Sequence, residues 1–248
     1  MAEQGPQNRS ALEEVWAAPL PLRRALAHEQ LAALQAAFPD AACELNFSNA
    51  FELLVATVLS AQTTDARVNT ITPELFGRWP SVHHLAEASL EELEDVLRPL
   101  GMHRRRASAV SGLSNQLVEN TGGDVPGTRE ELVALKGVGR KTANVVLGNW
   151  FGAEEITVDT HVERTTRRLG WADGATPLQI ENQLWDLLPL APWTRLCHQL
   201  IQLGRQICRA RRPRCEECPL QTLCPSTLTG TFTPPWQQTG SSGPPRSA

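Results

Sequence analysis

Apolar residues recur at spacings of three and four along most of this chain, which restricts the fold more than any other feature of the sequence. Leu31, Leu34 and Phe38 follow this spacing in one segment, and Phe51 and Leu54 begin it in the next. Residues so spaced share one face of an α-helix. Similar segments are "SLEELEDVLRPLG", "RRASAVSGLSNQLVENTGG", "TREELVALKG", "RKTANVVLGNWFG", "THVERTTRRLGW" and "PLQIENQLWDLLP". No segment alternates convincingly as a half-buried strand does, so we predict an all-α fold.

Short sequence signals predict where one helix begins and ends, and composition indicates the character of the two chain ends. Ser89 with Glu92 predicts a capping box, and Gly101 predicts the end of that helix. Residues 226–248 are rich in Ser, Thr, Gly and Pro, so we expect disorder there, and we expect residues 1–21 to be loose. With neither a secretory signal nor an apolar run long enough for a membrane span, we expect a cytoplasmic protein.

Lysine is confined to one short stretch, "LKGVGRKT", which contains both lysines of the chain, Lys136 and Lys141. The 23 cationic side chains are otherwise all arginine. Arginine stays protonated in proteins, whereas a lysine amine can lose its proton and act as a nucleophile. This stretch is therefore a candidate catalytic site.

Positive charge is concentrated in the second half of the chain, although the formal net charge is −4. Arginines cluster at 104–106, at 164–168 and at 205–214. Such clusters suit a phosphate backbone, although each one alone is also typical of a solvated helix face. Together they favour nucleic-acid binding.

Four of the six cysteines lie close together, in "CRARRPRCEECPLQTLC". Cys208, Cys215, Cys218 and Cys224 are separated by six, two and five residues. In a chain without an export signal this spacing indicates metal ligation rather than disulfides. Four thiolates can hold either a tetrahedral zinc ion or an iron–sulfur cluster, and the spacing alone does not separate the two.

The lysine stretch belongs to the longer segment "LKGVGRKTANVVL", which predicts a helix end, a Gly-x-Gly turn and a new helix. Gly137 and Gly139 allow a tight turn and a close approach by another chain. The amides of the turn and the following helix N-terminus favour an anion such as a phosphate. Val138 and Arg140 complete a candidate DNA-binding turn.

This segment, "VDTHVERTTRRLG" and the cysteine pattern together resemble bacterial endonuclease III, a helix-hairpin-helix family of DNA glycosylases and abasic-site lyases. The resemblance covers about residues 22–225. It implies a six-helix barrel domain over residues 43–153 and a second domain formed by residues 22–42 and 154–225. It also implies that the second domain holds a 4Fe-4S cluster, and so favours the cluster over zinc.

The resemblance also implies roles for individual residues. Lys141 matches the family's Schiff-base lysine and Asp159 its catalytic aspartate. The positive end of a helix dipole disfavours an ammonium ion, so a lysine in a first helical turn is well placed to act as a free amine. Asp159 can stabilise positive charge at the sugar, and it is equally typical of a helix N-cap. His161 is expected to be structural.

Residues that would handle the DNA follow from the same resemblance. Gln62 matches the residue that fills the space left by an extruded base, and Met102 stands where the family has a wedging leucine. The loop "LGMHRRRA" departs from the family's "GLYNSKA", with His103 for tyrosine and Arg104 after it. Lys136 replaces the usual proline and is interpreted as either an added phosphate contact or an inert surface residue.

We therefore expect a monomer that removes oxidised pyrimidines from double-stranded DNA and cleaves the strand, associated with the nucleoid through DNA. One alternative is an adenine-mismatch glycosylase of the same superfamily, which normally lacks the lysine and has a further C-terminal domain. Lys141 and the low-complexity tail after Cys224 disfavour it. A second alternative is a non-catalytic hairpin DNA-binding module.

Overall fold

The computed structural model describes residues 9–238. Within that range the regular secondary structure consists of α-helices and short 3₁₀ turns, and there is no strand. The all-α prediction is confirmed. The chain forms two compact units: Cys43–Glu155 is one, and the described residues up to Ala42 and from Ile156 onwards form the other.

In chain order the helices are α1 (Arg9–Ala17), α2 (Leu20–Ala37), α3 (Ala50–Leu59), α4 (Asp65–Asn69), α5 (Thr72–Arg78), α6 (Val82–Glu87), α7 (Leu90–Leu97), α8 (His103–Thr121), α9 (Arg129–Ala134), α10 (Arg140–Asn149), α11 (Thr160–Leu169), α12 (Pro177–Leu187), α13 (Trp193–Gln206) and α14 (Pro235–Gln238). Short 3₁₀ turns lie at Arg98–Leu100 and Cys215–Glu217.

Helix α3 is the centre of the unit Cys43–Glu155. Its sequence AFELLVATVL is apolar on almost every face, and every residue from Leu53 to Leu59 is buried. A helix that is hydrophobic all round must be covered on all sides, and here α8 and α10 pack against it. The same α8 also packs against α6 and α7, so the DNA-handling segments predicted from the sequence are attached to one core.

The core of the other unit is formed by α2, α11, α12 and α13, with Trp171 and Trp193 fully buried. Gln30 on α2 is also fully buried, and its amide satisfies two carbonyls, of Leu169 and Leu223, at 3.1 and 2.8 Å. Its carbonyl accepts from the indole of Trp171 at 2.5 Å. A buried amide with all these partners is well satisfied, so it fixes α2 against the end of α11.

Three expectations from the sequence need correction. Residues 9–21 are not loose, because α1 and the start of α2 lie there and Val15 is 1% exposed. Residues 226–238 are not disordered, because Ser226 and Thr227 are buried and α14 follows. Helix α13 was not predicted, although its buried residues Leu196, Leu200 and Leu203 are spaced by four and three positions. Residues 1–8 and 239–248 lie outside the described residues.

Among the described residues, no helix is both long enough and apolar enough to cross a membrane.

Candidate active site and DNA-binding surface

The predicted hairpin is formed by α9, a turn at residues 135–139 and α10. Leu135 and Val138 are buried and anchor the turn, and the amide of Val138 donates to the Leu135 carbonyl at 3.1 Å. Gly137 has φ of 80°, a conformation that a side chain makes costly. Gly139 is the N-cap of α10, in extended conformation, and a side chain there would meet open space. The turn thus leaves the start of α10 open to a close approach by a phosphate backbone.

The two helices of the hairpin are joined by a polar cluster under the turn. Arg129, the first residue of α9, donates to the Oδ1 atom of Asn144 on α10 at 3.0 Å and forms an ion pair with Glu155. Asn144 and Glu155 are 2% and 8% exposed, so the ion pair is largely removed from water. Breaking one partner of such a pair leaves an unpaired charge, which strongly opposes movement of α9 against α10.

The two lysines of the hairpin occupy different settings. Lys141 is exposed, as the second residue of α10. Lys136 lies across α8: its Nζ atom is 3.4 Å from the Ser108 hydroxyl, and its aliphatic chain covers Gly112 so closely that a side chain there would collide with it. Lys136 therefore packs along a helix while remaining exposed, and the phosphate contact stays a prediction.

Replacement of each turn glycine by alanine should affect stability and DNA binding differently at the two positions. We expect Gly137→Ala to lower the free energy of unfolding by about 1–2 kcal/mol, because alanine is strained at this positive φ. Gly139→Ala should lower the free energy of unfolding by less, because that position is extended and open. It should weaken DNA binding, because the added methyl group blocks close approach of the phosphate backbone. Urea denaturation and fluorescence anisotropy with duplex DNA measure the two effects. Equal losses of stability in both variants would contradict the view that only Gly137 is needed for its backbone conformation.

Gln62 and Met102 are two of three non-glycine residues with positive φ in the described chain, at 60° and 47°. Both are exposed, and Met102 is 45% exposed although it is a large apolar residue. The left-handed conformation costs a residue with a Cβ atom about 1–2 kcal/mol, and such strain is found most often at functional sites. Met102 is therefore not a core methionine, and both residues have the exposure that insertion into a duplex requires.

His103 and Arg104, which follow Met102, are directed toward the same carboxylate. The His103 Nε2 atom lies 4.0 Å from Glu94 and the Arg104 Nε atom 3.6 Å from it. Arg104 is 85% exposed, so this ion pair contributes little to stability. Both side chains remain accessible, and a DNA phosphate could compete with Glu94 for Arg104.

Asp159 lies in the other unit, as the N-cap of α11. Its Oδ1 atom accepts from the amides of His161 and Val162, at 2.8 Å each. Within residues 9–238 no group donates a hydrogen bond to its second oxygen, Oδ2. The N-cap interpretation of this residue is therefore confirmed, while one carboxylate oxygen stays available for chemistry.

His161, in the first turn of the same helix, is held neutral. The Arg164 guanidinium donates to its Nδ1 atom at 3.1 Å, so this nitrogen must be unprotonated. Burial lowers the pKa of His161, and the positive charges of Arg164 and Arg205 lower it further, against an opposing effect of Asp159. A neutral imidazole that accepts from arginine fits the structural role expected for it.

The arginines at 164–168, interpreted from the sequence as suited to phosphate, mostly bind the protein itself. Arg164 donates to the carbonyls of Cys208 and Gly204, at 3.0 and 2.9 Å. Arg168 is 6% exposed and donates to the carbonyls of Arg209 and Ala210. The prediction was wrong for these residues because their partners lie some 40 positions away in the chain, which a local pattern does not reveal.

The four clustered cysteines line one shared pocket, together with Arg168, Ile207, Pro213, Arg214, Gln221, Ser226 and Thr227. No group of three His, Cys, Asp or Glu side chains in the described part of the chain is arranged to hold a single metal ion. Four cysteines that line one pocket can supply the thiolate ligands of an iron–sulfur cluster.

Electrostatics at this pocket also fit a cationic cluster. The pKa of Cys218 is raised to about 11, mainly by burial and in addition by the nearby Cys208 and Cys215 thiolates. Burial also raises the pKa of Cys224 well above the ordinary thiol value, with neighbouring thiolates adding to it. Four thiolates this close need bound positive charge, which an iron–sulfur cluster supplies.

Removal of one cysteine should remove the cluster. We expect Cys224→Ala to yield colourless protein with a melting temperature lower by on the order of 10 °C, because cluster binding is coupled to folding of this segment. The control is Cys43→Ala, which changes a half-buried cysteine in the other unit and should keep about four irons per chain. Visible absorption, iron analysis and calorimetry measure the outcome. A Cys224→Ala protein with its full iron content would contradict this ligand assignment.

An all-α chain with a helix–Gly-x-Gly–helix turn, an exposed lysine after it and a four-cysteine pocket has the features of a helix-hairpin-helix DNA repair protein. Residues 55–190 match the family model of the HhH-GPD superfamily of base excision DNA repair proteins. Residues 208–224 match the iron–sulfur binding domain of endonuclease III.

Curated relatives and solved structures agree with these matches. The chain is 44% identical over 201 residues to endonuclease III of Synechocystis sp., which covers 81% of this chain and 92% of the relative. It is 47% identical over 190 residues to endonuclease III of Bacillus subtilis, over 75% of this chain and 86% of the relative. The structure described as a non-covalent endonuclease III–DNA complex is similar with a TM-score of 0.77 and 43% identity, over 81% of this chain and 94% of that one.

The chain belongs to the endonuclease III family. It is therefore a base-excision DNA repair enzyme, a DNA glycosylase and abasic-site lyase, and its cofactor is a 4Fe-4S cluster bound within residues 208–224.

Proposed function

We propose that this enzyme removes oxidised pyrimidines from double-stranded DNA as a monomer, with Lys141 as the nucleophile and Asp159 as its catalytic carboxylate. The observation that carries the proposal is the exposed Lys141, two residues after the Gly-x-Gly turn and one of two lysines among the 23 Lys and Arg residues of the chain. Solved relatives include one described as a trapped endonuclease III–DNA covalent intermediate, at 43% identity.

Lys141 supplies the new bond. Its neutral amine attacks C1′ of the damaged nucleotide, the C1′–base bond breaks with both its electrons going to the base, and the base leaves after taking up a proton. The amine loses its protons as the sugar ring opens, leaving a C1′=N imine. A base then removes a C2′ proton, the electrons shift toward the imine, and the C3′–oxygen bond breaks with the 3′ phosphate as leaving group.

Asp159 acts on charge and protons during these steps. As base departure makes the sugar resemble an oxocarbenium ion, a carboxylate stabilises the developing positive charge. The Asp159 Oδ1 atom is committed to two helix amides, which orients the group, so Oδ2 is the oxygen for this role. The carboxylate also assists proton movement between the amine and the sugar.

The remaining predicted residues form the DNA-binding surface. Gly137, Val138, Gly139 and Arg140 present the turn to the phosphate backbone, with Lys136 and Arg104 as added cations. Gln62 fills the space of the extruded nucleotide and Met102 wedges into the stack, with His103 beside it. Residues 208–224 hold the cluster, and the ligands are Cys208, Cys215, Cys218 and Cys224. The role of the cluster is structural, because it orders the segment that contains these cysteines.

The two compact units correspond in this proposal to two domains. Cys43–Glu155 is the barrel domain with the hairpin, and the other unit is the cluster domain. Lys141 and Asp159 belong to different units, and their joint action on one nucleotide is part of the proposal.

Base release and strand cleavage on matched duplexes test this function. One duplex carries a single oxidised pyrimidine opposite guanine or adenine, a second carries adenine opposite guanine, and a third is undamaged. Release of the oxidised pyrimidine followed by strand cleavage supports the proposal. Release of the mismatched adenine alone would support the adenine-mismatch glycosylase, and binding without release from any duplex would support a non-catalytic module.

A further inference from the structure

One buried guanidinium, that of Arg106, lies beneath both of the strained residues that face the DNA in the proposed function. Its Nε atom donates to the Gly101 carbonyl at 2.9 Å, directly before Met102. Its Nη2 atom donates to the Ala61 carbonyl at 2.9 Å, directly before Gln62, and its Nη1 atom donates to the Leu59 carbonyl. The two loops are 40 residues apart in sequence, and Arg106 joins them.

The position of Arg106 on its helix explains this reach. It lies in the first turn of α8, where side chains point back toward the N-terminus and so toward the loop that precedes the helix. Its neighbours Arg104 and Arg105 are exposed, whereas Arg106 is 5% exposed. Three consecutive arginines thus have different settings, and only the third is directed into the protein.

The bonds to Leu59 and Ala61 stabilise the end of α3. The last carbonyls of a helix lack partners within it and form the negative end of its dipole, so a cation there is favourable. Within residues 9–238 the Arg106 side chain donates to these two backbone carbonyls and to that of Gly101. Only arginine has several donors in a planar fork that can serve three carbonyls at once.

Strained loops need such support. Gln62 and Met102 would relax to ordinary φ values if the peptides before them could rotate, and a charge-assisted hydrogen bond to each preceding carbonyl opposes that rotation. Arg106 is buried and does not itself face the DNA, so its contribution would act through the two residues that do.

We propose that Arg106 is a positioning residue, which holds Gln62 and Met102 together in the strained conformations from which they enter the duplex. This inference rests on the proposed function, in which these two residues fill the gap and wedge the stack. It makes Arg106 part of the machinery of base extrusion, distinct from the phosphate contact proposed for Arg104 in the same helical turn.

A mutant cycle tests the inference. The variants are Arg106→Gln, Arg106→Lys, the double variant Gln62→Ala with Met102→Ala, and the combinations of each Arg106 change with the double variant. Arg105→Gln is the matched control, because it removes one positive charge from the same turn at an exposed position. The measurements are single-turnover base excision from a duplex with one oxidised pyrimidine, and fluorescence of 2-aminopurine beside the lesion, which reports unstacking. Circular dichroism and melting confirm that each variant is folded.

We expect Arg106→Gln to slow base excision at least tenfold beyond Arg105→Gln and to reduce the 2-aminopurine signal. Arg106→Lys, which keeps the charge and fills the space, should fall between Arg106→Gln and the wild type. In the double-variant background either Arg106 change should have less than a threefold further effect, because residues that act as a unit are not additive. If Arg106→Gln does not fold, Arg106→Lys completes the cycle alone.

Two results would overturn the inference. One is base excision by both Arg106 variants equal to that of Arg105→Gln, and the other is a loss that multiplies fully with that of the double variant, as a general structural defect would. Failure of the proposed function is a separate result: wild-type protein would then release no base from the lesion duplex, whatever the variants do.

Discussion

Lys141→Ala will abolish strand cleavage at an abasic site, with a loss of at least about 10³-fold, while DNA binding changes by no more than a few fold. In the proposed mechanism the Lys141 amine forms the imine, and no water or neighbouring group replaces it in elimination. Borohydride reduces the imine to a stable adduct, so trapping followed by peptide mapping identifies the amine that reacted. The exposed position of Lys141 at the start of α10 makes its replacement harmless to the core.

The scarcity of lysine makes this experiment unusually clear. The chain offers Lys136, Lys141 and its N-terminal amine as reactive amines. Lys141→Arg keeps the positive charge but has no nucleophilic amine. It should therefore lose strand cleavage as Lys141→Ala does, but bind DNA more tightly than Lys141→Ala. Lys136→Ala should still be trapped by borohydride. An adduct that persists in Lys141→Ala would assign the chemistry to another amine and refute the proposed nucleophile.

Asp159→Asn will slow base excision by about 10²–10³-fold, with little change in stability. Asparagine caps a helix about as well as aspartate, so the bonds to the His161 and Val162 amides can persist without the charge. Asp159→Ala should lose the same activity and, in addition, about 1 kcal/mol of stability because the cap is gone. Single-turnover kinetics and urea denaturation separate the two losses.

The comparison between these variants distinguishes a cap from a catalytic group. If Asp159 were only a cap, Asp159→Asn would be fully active and Asp159→Ala would lose activity only as far as it loses folded protein. Equal loss of base excision in both variants, with stability lost in one alone, is the result that the proposed role requires.

Much of the secondary structure could be predicted because its determinants are local. The capping box of Ser89 and Glu92 is present at the start of α7, and Gly101 has a positive φ after the turn that ends it. The spacing of apolar residues likewise predicted α2, α3 and α8. Helix α13 was not predicted although it has the same signal, since its buried residues Leu196, Leu200 and Leu203 are spaced by four and three positions.

Candidate site residues divide in the same way. Lys141, Asp159 and the four cysteines could be proposed from the sequence, because their residue types and spacing match the motifs of a known family. Arg106 and Arg168 were missed as individual residues because an arginine in a basic run looks the same whether it faces solvent or protein. The sequence does contain one signal for Arg106. It lies four residues before Val110 and seven before Leu113, which places it on the buried face of α8.

By itself the sequence determined the helical class, the family and the identity of the reactive groups, since these depend on residue type, on local spacing and on motifs of a few residues. Tertiary structure alone decided which arginines are buried against protein carbonyls, and that Gln62 and Met102 adopt strained conformations. Those features depend on contacts such as that between Arg106 and Leu59, which are 47 residues apart. Packing of the whole chain brings such groups together, so no local pattern can specify them.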